Sequence, residues 1–304
     1  MKKYFFNIIL YVSIIFLIIF LYKYDYLNVK GINFSDRYLL LSVLFLFMGF
    51  IGYAFSWKKA ALIHGNKIST KEAITSQGLS IFAKYIPGKV WIILGRASKI
   101  STNNVSLKAA SFASLKEQLI FVWVGLMLSL FILIGSNQNA NYVYIVIPII
   151  VVLSVVNFSE WFRNFLVFAF KKIFKREFQI PLVKFKEALY LAGYVTTYWM
   201  FWNLGFYFFV KSFTVDIPIS VIFIFSFSAT LGLLALVVPG GLGVREGLIV
   251  VGLASFGIPL ELATTISIAA RLWFISGEVF IFILALMLEK FGEKRNDSSL
   301  FGEI

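Results

Sequence analysis

The chain holds 304 residues, 60% of them hydrophobic and 14% charged, with a formal net charge of +13. A soluble domain of this length needs far more polar surface, so the composition excludes one and points to a membrane protein. Apolar runs that last 15 to 25 residues without alternating exclude a β-barrel, and the absence of cysteine excludes disulfides and thiolate metal sites.

In chain order, Met1–Lys3 and the apolar run Tyr4–Tyr22 resemble a signal peptide. No small-x-small cleavage site follows, so the segment reads as a retained anchor helix. The next span is Tyr38–Phe55, closed by the interfacial Trp57-Lys58-Lys59. Residues 57–80 are mixed and polar, which predicts a helix lying on the membrane surface. The single His64 cannot by itself hold a metal.

Residues 79–99 (LSIFAKYIPGKVWIILGRASK) are interrupted at Pro87-Gly88. Each arm is about eight residues, roughly 12 Å of helix, against ~30 Å of hydrocarbon, so a re-entrant hairpin is expected. Ala109–Ile134 is a full span with Lys116, Glu117 and Gln118 near its start, and the loop after it, 135–142, is uncharged. Tyr142–Val156 returns to a basic loop over 157–187. Ala188–Val210 crosses again, Ile217–Val238 leads into a second break at Pro239-Gly240-Gly241, and Leu248–Phe256 is a short arm. Leu262–Leu288 is the last long span. The expected fold is therefore an all-α polytopic membrane protein. It has about six full transmembrane helices and two broken, re-entrant Pro-Gly segments. Residues 1–290 form a single domain, and 291–304 form a polar cytoplasmic tail.

With the N-terminus and C-terminus in the cytoplasm, about 21 Lys and Arg fall on the inner side and four (Lys23, Lys30, Arg37, Lys211) on the outer. That asymmetry follows the positive-inside rule and places the chain in the cell membrane. It also explains the positive charge without nucleic acid. The same topology exposes an internal symmetry of span, broken segment and polar-bearing span, first over 38–134 and again over 188–288. The second unit begins on the opposite side, so the two would be inverted repeats, with a binding site at the paired breaks.

In VVPGGLGVREGLIVV (237–251), Pro239 interrupts the helix, and Gly240 and Gly241 permit irregular backbone. Arg245 and Glu246 then open the next short helix, whose amides favour anions. Glycines, amides and an arginine suit a phosphate or carboxylate. The alternative is a helix–turn–helix with a structural ion pair. Gly243 and Gly247 fit a small-xxx-small helix contact. In KYIPGKVWIILGR, Lys89 and Arg96 lie seven residues apart on one face, and Lys84 is read as snorkelling towards headgroups. Arg271 and Glu278 repeat that spacing in the last span, where isolated charge is costly and should pair. Glu246 is the expected partner of Arg271, with Arg245 or Arg96 for Glu278. Glu117 occupies the matching place in the first half. These residues line either a polar site or a structural cross-brace.

The motifs YIPGKVWIILGR (85–96) and VPGGLGVREG (238–247), with the order of spans to about residue 290, resemble the lysylphosphatidylglycerol synthase transmembrane region, a flippase-like family. The resemblance implies a multi-helix lipid-handling module, fused in some members to an aminoacyltransferase. About sixteen polar residues follow Leu288, too few for such a domain, so synthase activity is not expected here. The function implied is translocation of an anionic phospholipid or polyprenyl-linked glycan lipid between leaflets, with no cofactor, no metal and no nucleic acid. Lys89, Arg96, Glu117, Gly240, Gly241, Arg245, Glu246, Arg271 and Glu278 are the candidate substrate-binding residues. Two rival readings remain. One is the membrane module of a lipid-headgroup modifying system, with Glu246 or Glu278 as base. The other is a non-transporting scaffold that partners a glycosyltransferase or other envelope-assembly enzyme. No catalytic motif is recognised.

Overall fold

The computed structural model describes residues 35–86, 90–101, 105–133, 143–161, 164–165, 184–214, 216–234 and 243–300. The anchor expected at Tyr4–Tyr22, Pro87, Gly88, Lys89, Pro239, Gly240, Gly241 and most of the basic loop lie outside them.

Nine α-helices are described. They are α1 (Asp36–Ile63), α2 (Thr70–Leu79), α3 (Trp91–Ile100), α4 (Leu107–Ser129), α5 (Val143–Phe158), α6 (Phe185–Phe213), α7 (Ile224–Leu234), α8 (Val244–Ser255) and α9 (Leu260–Leu300). Short 3₁₀ turns follow α2 (Ile81–Tyr85) and precede α7 (Ile219–Phe223). Asp36–Ile63, Leu107–Ile132 and Leu260–Lys290 are long and apolar enough to cross a membrane. With 29 residues, α6 has the same reach. The fold is all-α and polytopic, as the composition requires. α9 continues helical to Leu300, through most of the segment expected as a tail.

Each half repeats one pattern: a long helix (α1, α6), a first short arm (α2, α7), a second short arm (α3, α8) and a long helix (α4, α9). The arms of 10 to 12 residues reach about 15–18 Å at 1.5 Å per residue, too short to span. In the first half the arms fold back on each other at Gly95, whose Cβ would sit 3.0 Å from the Ser80 hydroxyl.

α1 and α6 are the central pair and run antiparallel. Ser35 N–H donates to the Ser212 carbonyl at 2.8 Å, Phe45 rings against Phe201 and Phe208, and Lys59 stands over Tyr190. Equivalent helices that pack antiparallel make the halves inverted. The arms also swap partners. α2 packs on α9, where a Cβ on Gly78 would meet the Ile281 carbonyl oxygen at 2.4 Å. Reciprocally, α7 packs on α4, where a Cβ on Gly125 would meet the Thr230 methyl at 2.2 Å. Small residues at such crossings let backbones approach without a hydrophobic driving force between helices.

One expectation is overturned. Residues 57–80 do not form a surface helix: Trp57, Ala73, Ser76, Gln77 and Leu79 are buried in the bundle. Ser69 and Glu72 start α2 with a capping box (Glu72 N–H to Ser69 Oγ 3.1 Å, Ser69 N–H to Glu72 Oε2 2.7 Å). The polar residues that suggested a water-exposed face are bonded inside, as with Trp57 Nε1 donating to Ser76 Oγ at 2.9 Å.

Candidate functional site

The charged residues singled out in the sequence separate into two clusters of opposite character. In the first, Arg96 of α3 is fully buried, and so is Glu117 of α4. Arg96 donates to Glu117 Oε2 (2.7 Å), Gln77 Oε1 (3.0 Å), the Ser114 carbonyl (2.8 Å) and Ser114 Oγ (2.5 Å), and its guanidinium lies 4.6 Å from the Trp57 ring. Glu117 also accepts from Ser56 Oγ at 3.0 Å. This knot joins all four helices of the first repeat and satisfies its charges internally. A fork-shaped guanidinium suits that task better than an ammonium.

The second cluster faces a cavity of about 120 Å³ at the meeting of the two repeats. Lys84, Arg245 and Arg271 line it, with Gln118 and a wall of aromatic rings that includes Phe121, Trp199, Trp202 and Phe274. Local structure places each cation. The 3₁₀ turn eclipses residues three apart, so Ile81 and Lys84 point together into the space. Gly243, at φ +73°, turns the chain into α8 in a conformation that favours glycine, and its N–H donates to Glu246 Oε2 at 2.8 Å. Arg245 follows one position into the helix. On α9, Arg271, Phe274 and Glu278 share a face at helical spacing.

Pairing inside this cluster differs from the sequence expectation at Glu278. Its carboxylate is fully buried and takes Lys84 Nζ as its ion-pair partner, with Tyr85 OH donating at 2.8 Å. Neither Arg245 nor Arg96 holds it. Lys84 therefore does not snorkel. The swap of α2 onto α9 carries it inward, where a buried anion outcompetes the headgroup region. Glu246 does pair with Arg271 (Nη1 to Oε1 3.8 Å), and Ser267 Oγ donating to the Glu246 carbonyl at 2.9 Å locks α8 to α9. Gly247 opens onto free space rather than a helix contact.

Among the described residues of this cluster, Arg245 alone makes no ion pair. It is 7% exposed, its guanidinium sits between the rings of Phe225 (4.8 Å) and Phe274 (4.6 Å), and its buried Nη2 makes no hydrogen bond among the described residues. Two aromatic faces hold the cation at the cavity wall by quadrupole attraction. Among the described residues, three cations and two carboxylates compose this cluster, an excess of one positive charge. Tyr85 escaped sequence reasoning, which places Lys84 in the headgroup region instead of the site. Ile81 and Lys84 at i, i+3 just before a break were the available signal. Lys89, Gly240 and Gly241 lie outside the described residues.

The family model for the lysylphosphatidylglycerol synthase TM region matches residues 5–276. No curated protein matches the chain.

Proposed function

Because the chain belongs to the family of the lysylphosphatidylglycerol synthase transmembrane region, we propose that it moves an anionic phospholipid or a polyprenyl-linked glycan lipid between leaflets. The central cavity takes the phosphate while the hydrocarbon chains stay in the bilayer. One observation carries this reading: among the described residues, a buried guanidinium, Arg245, lines the cavity with an unused donor amid an excess of cations. Stranding such a charge at membrane depth costs at least ~2.5–3.5 kcal/mol. A phosphate oxygen would offset it with charge-assisted hydrogen bonds.

The two clusters then divide the work. Arg96 and Glu117 position the first repeat, and Lys84, Arg245 and Arg271 hold the headgroup. The cation asymmetry supports a cell-membrane protein with both termini in the cytoplasm. The test is leaflet exchange of labelled phosphatidylglycerol in proteoliposomes. Truncating a partner of a desolvated charge pair costs at least ~2 kcal/mol, so Arg245→Ala should slow exchange roughly 30-fold or more. Equal rates for Arg245→Ala and wild type would remove the cavity from the mechanism.

A further inference from the structure

Among the described residues, the outer face of the α1–α6 pair carries a second concavity, separate from the central cavity. It measures about 710 Å³ and is bordered by Gly52, Phe55, Tyr190, Gly193, Tyr194 and Phe201. α1 and α6 themselves are the partition: Tyr53, Tyr198 and Trp202 face inward and are buried, whereas Phe55, Tyr190 and Tyr194 face outward. Gly193 leaves part of the floor open, whereas Gly52 is closed against α6, where a Cβ would meet Tyr198 Cβ at 2.9 Å. A Cβ on Gly193 would meet nothing within 4 Å.

A volume of this size falls within the ~300–1,000 Å³ of small-molecule sites. Its border is chiefly aromatic and aliphatic, which suits a hydrocarbon chain. Thr197 Oγ1 already donates to the Gly193 carbonyl at 3.0 Å, so the floor presents no polar group that asks for a partner.

One end of the notch is charged. Lys59 Nζ stands 4.4 Å from the centre of the Tyr190 ring, in the last two turns of α1. It lies seven residues from Gly52, about 10 Å along the helix. Lys58 is tied to Thr70 Oγ1 at 2.8 Å. A positive charge at the headgroup level beside a groove in the hydrocarbon is complementary to a lipid with an acidic head and a hydrocarbon tail.

We propose that this notch is a binding site for an anionic glycerophospholipid of the leaflet on the Lys59 side. One acyl chain lies over Gly193 beside Phe55 and Tyr194, and the phosphate lies at Lys59. The ligand is a resident lipid that packs the outer face of α1 and α6, not the molecule handled in the central cavity.

The experiment is native mass spectrometry of the full chain, purified with equimolar phosphatidylglycerol and phosphatidylcholine. It is done in an Arg245→Ala background so that the central cavity does not contribute. The expected result is one retained phosphatidylglycerol per chain. Gly193→Leu should cut retention at least fivefold at an unchanged unfolding temperature. Lys59→Gln should keep a bound lipid but abolish the preference for phosphatidylglycerol. Unchanged retention in Gly193→Leu, equal retention of both lipids by the parent, or a dimer mass that Gly193→Leu dissolves would each overturn the assignment.

Discussion

Removing the anion from the first cluster gives the sharpest energetic prediction. In Glu117→Leu, Arg96 keeps Gln77 and Ser114 but loses the one carboxylate it pairs with among the described residues, at a position with no solvent access. Breaking one side of a buried pair costs ~3–5 kcal/mol, because the remaining charge is neither hydrated nor neutralised. Replacing both members by apolar residues of similar volume removes that charge, so Arg96→Met with Glu117→Leu should recover most of the loss. At ~2–4 °C per kcal/mol for chains of this order, Glu117→Leu should lower the unfolding temperature by roughly 10 °C. Intrinsic tryptophan fluorescence in detergent reads it, since Trp57 stacks on Arg96. A single mutant that melts within 2 °C of wild type, or a double mutant that melts lower than the single, would refute the internally neutralised knot.

The second cluster should behave in the opposite sense. Arg245→Met removes a charge that has no ion-pair partner among the described residues, so it should leave the unfolding temperature equal or higher while abolishing exchange, a stability–function trade-off visible in paired melting and transport assays. Lys84→Met leaves Glu278 with Tyr85 as its hydrogen-bond donor and should destabilise by ~2–4 kcal/mol, an effect that adding Glu278→Gln should reverse in the same melting assay. Gly78→Ala drives a methyl into the backbone of α9 and should cost ~1–3 kcal/mol, whereas Gly247→Ala, facing open space, should be neutral or stabilising by up to ~1 kcal/mol. Lipid analysis of cells lacking the protein should show altered leaflet sidedness with an unchanged set of lipid species. Loss of a modified species would favour the headgroup-modifying reading.

Much of this architecture was legible because the bilayer constrains sequence strongly. Apolar runs had to be helices, and Pro-Gly breaks amid such runs marked the short arms. Paired breaks of opposite sense also anticipated inverted halves, which the antiparallel α1–α6 pair bears out. The polar run 57–80 misled because hydropathy cannot distinguish a side chain bonded to water from one bonded to Trp57 or Arg96. Pairing was the least legible feature. Arg271 and Glu246 are neighbours through sequential helices, so their contact followed from topology. Lys84 and Glu278 are 194 residues apart and meet only because α2 crosses to α9, a swap that no local pattern encodes. Arg96 and Glu117 were both visible as costly charges, but their mutual neutralisation depends on Gln77 and Ser114, whose polarity alone carried no such signal.

The most direct test is photochemical. A benzophenone side chain placed at Ala229, on the cavity wall, should form adducts with anionic phospholipid in native membranes, and the Arg245→Gln substitution should reduce them at least tenfold. Adducts with neutral lipid alone, or an anionic-lipid yield indifferent to Arg245, would contradict a cavity built to receive a phosphate.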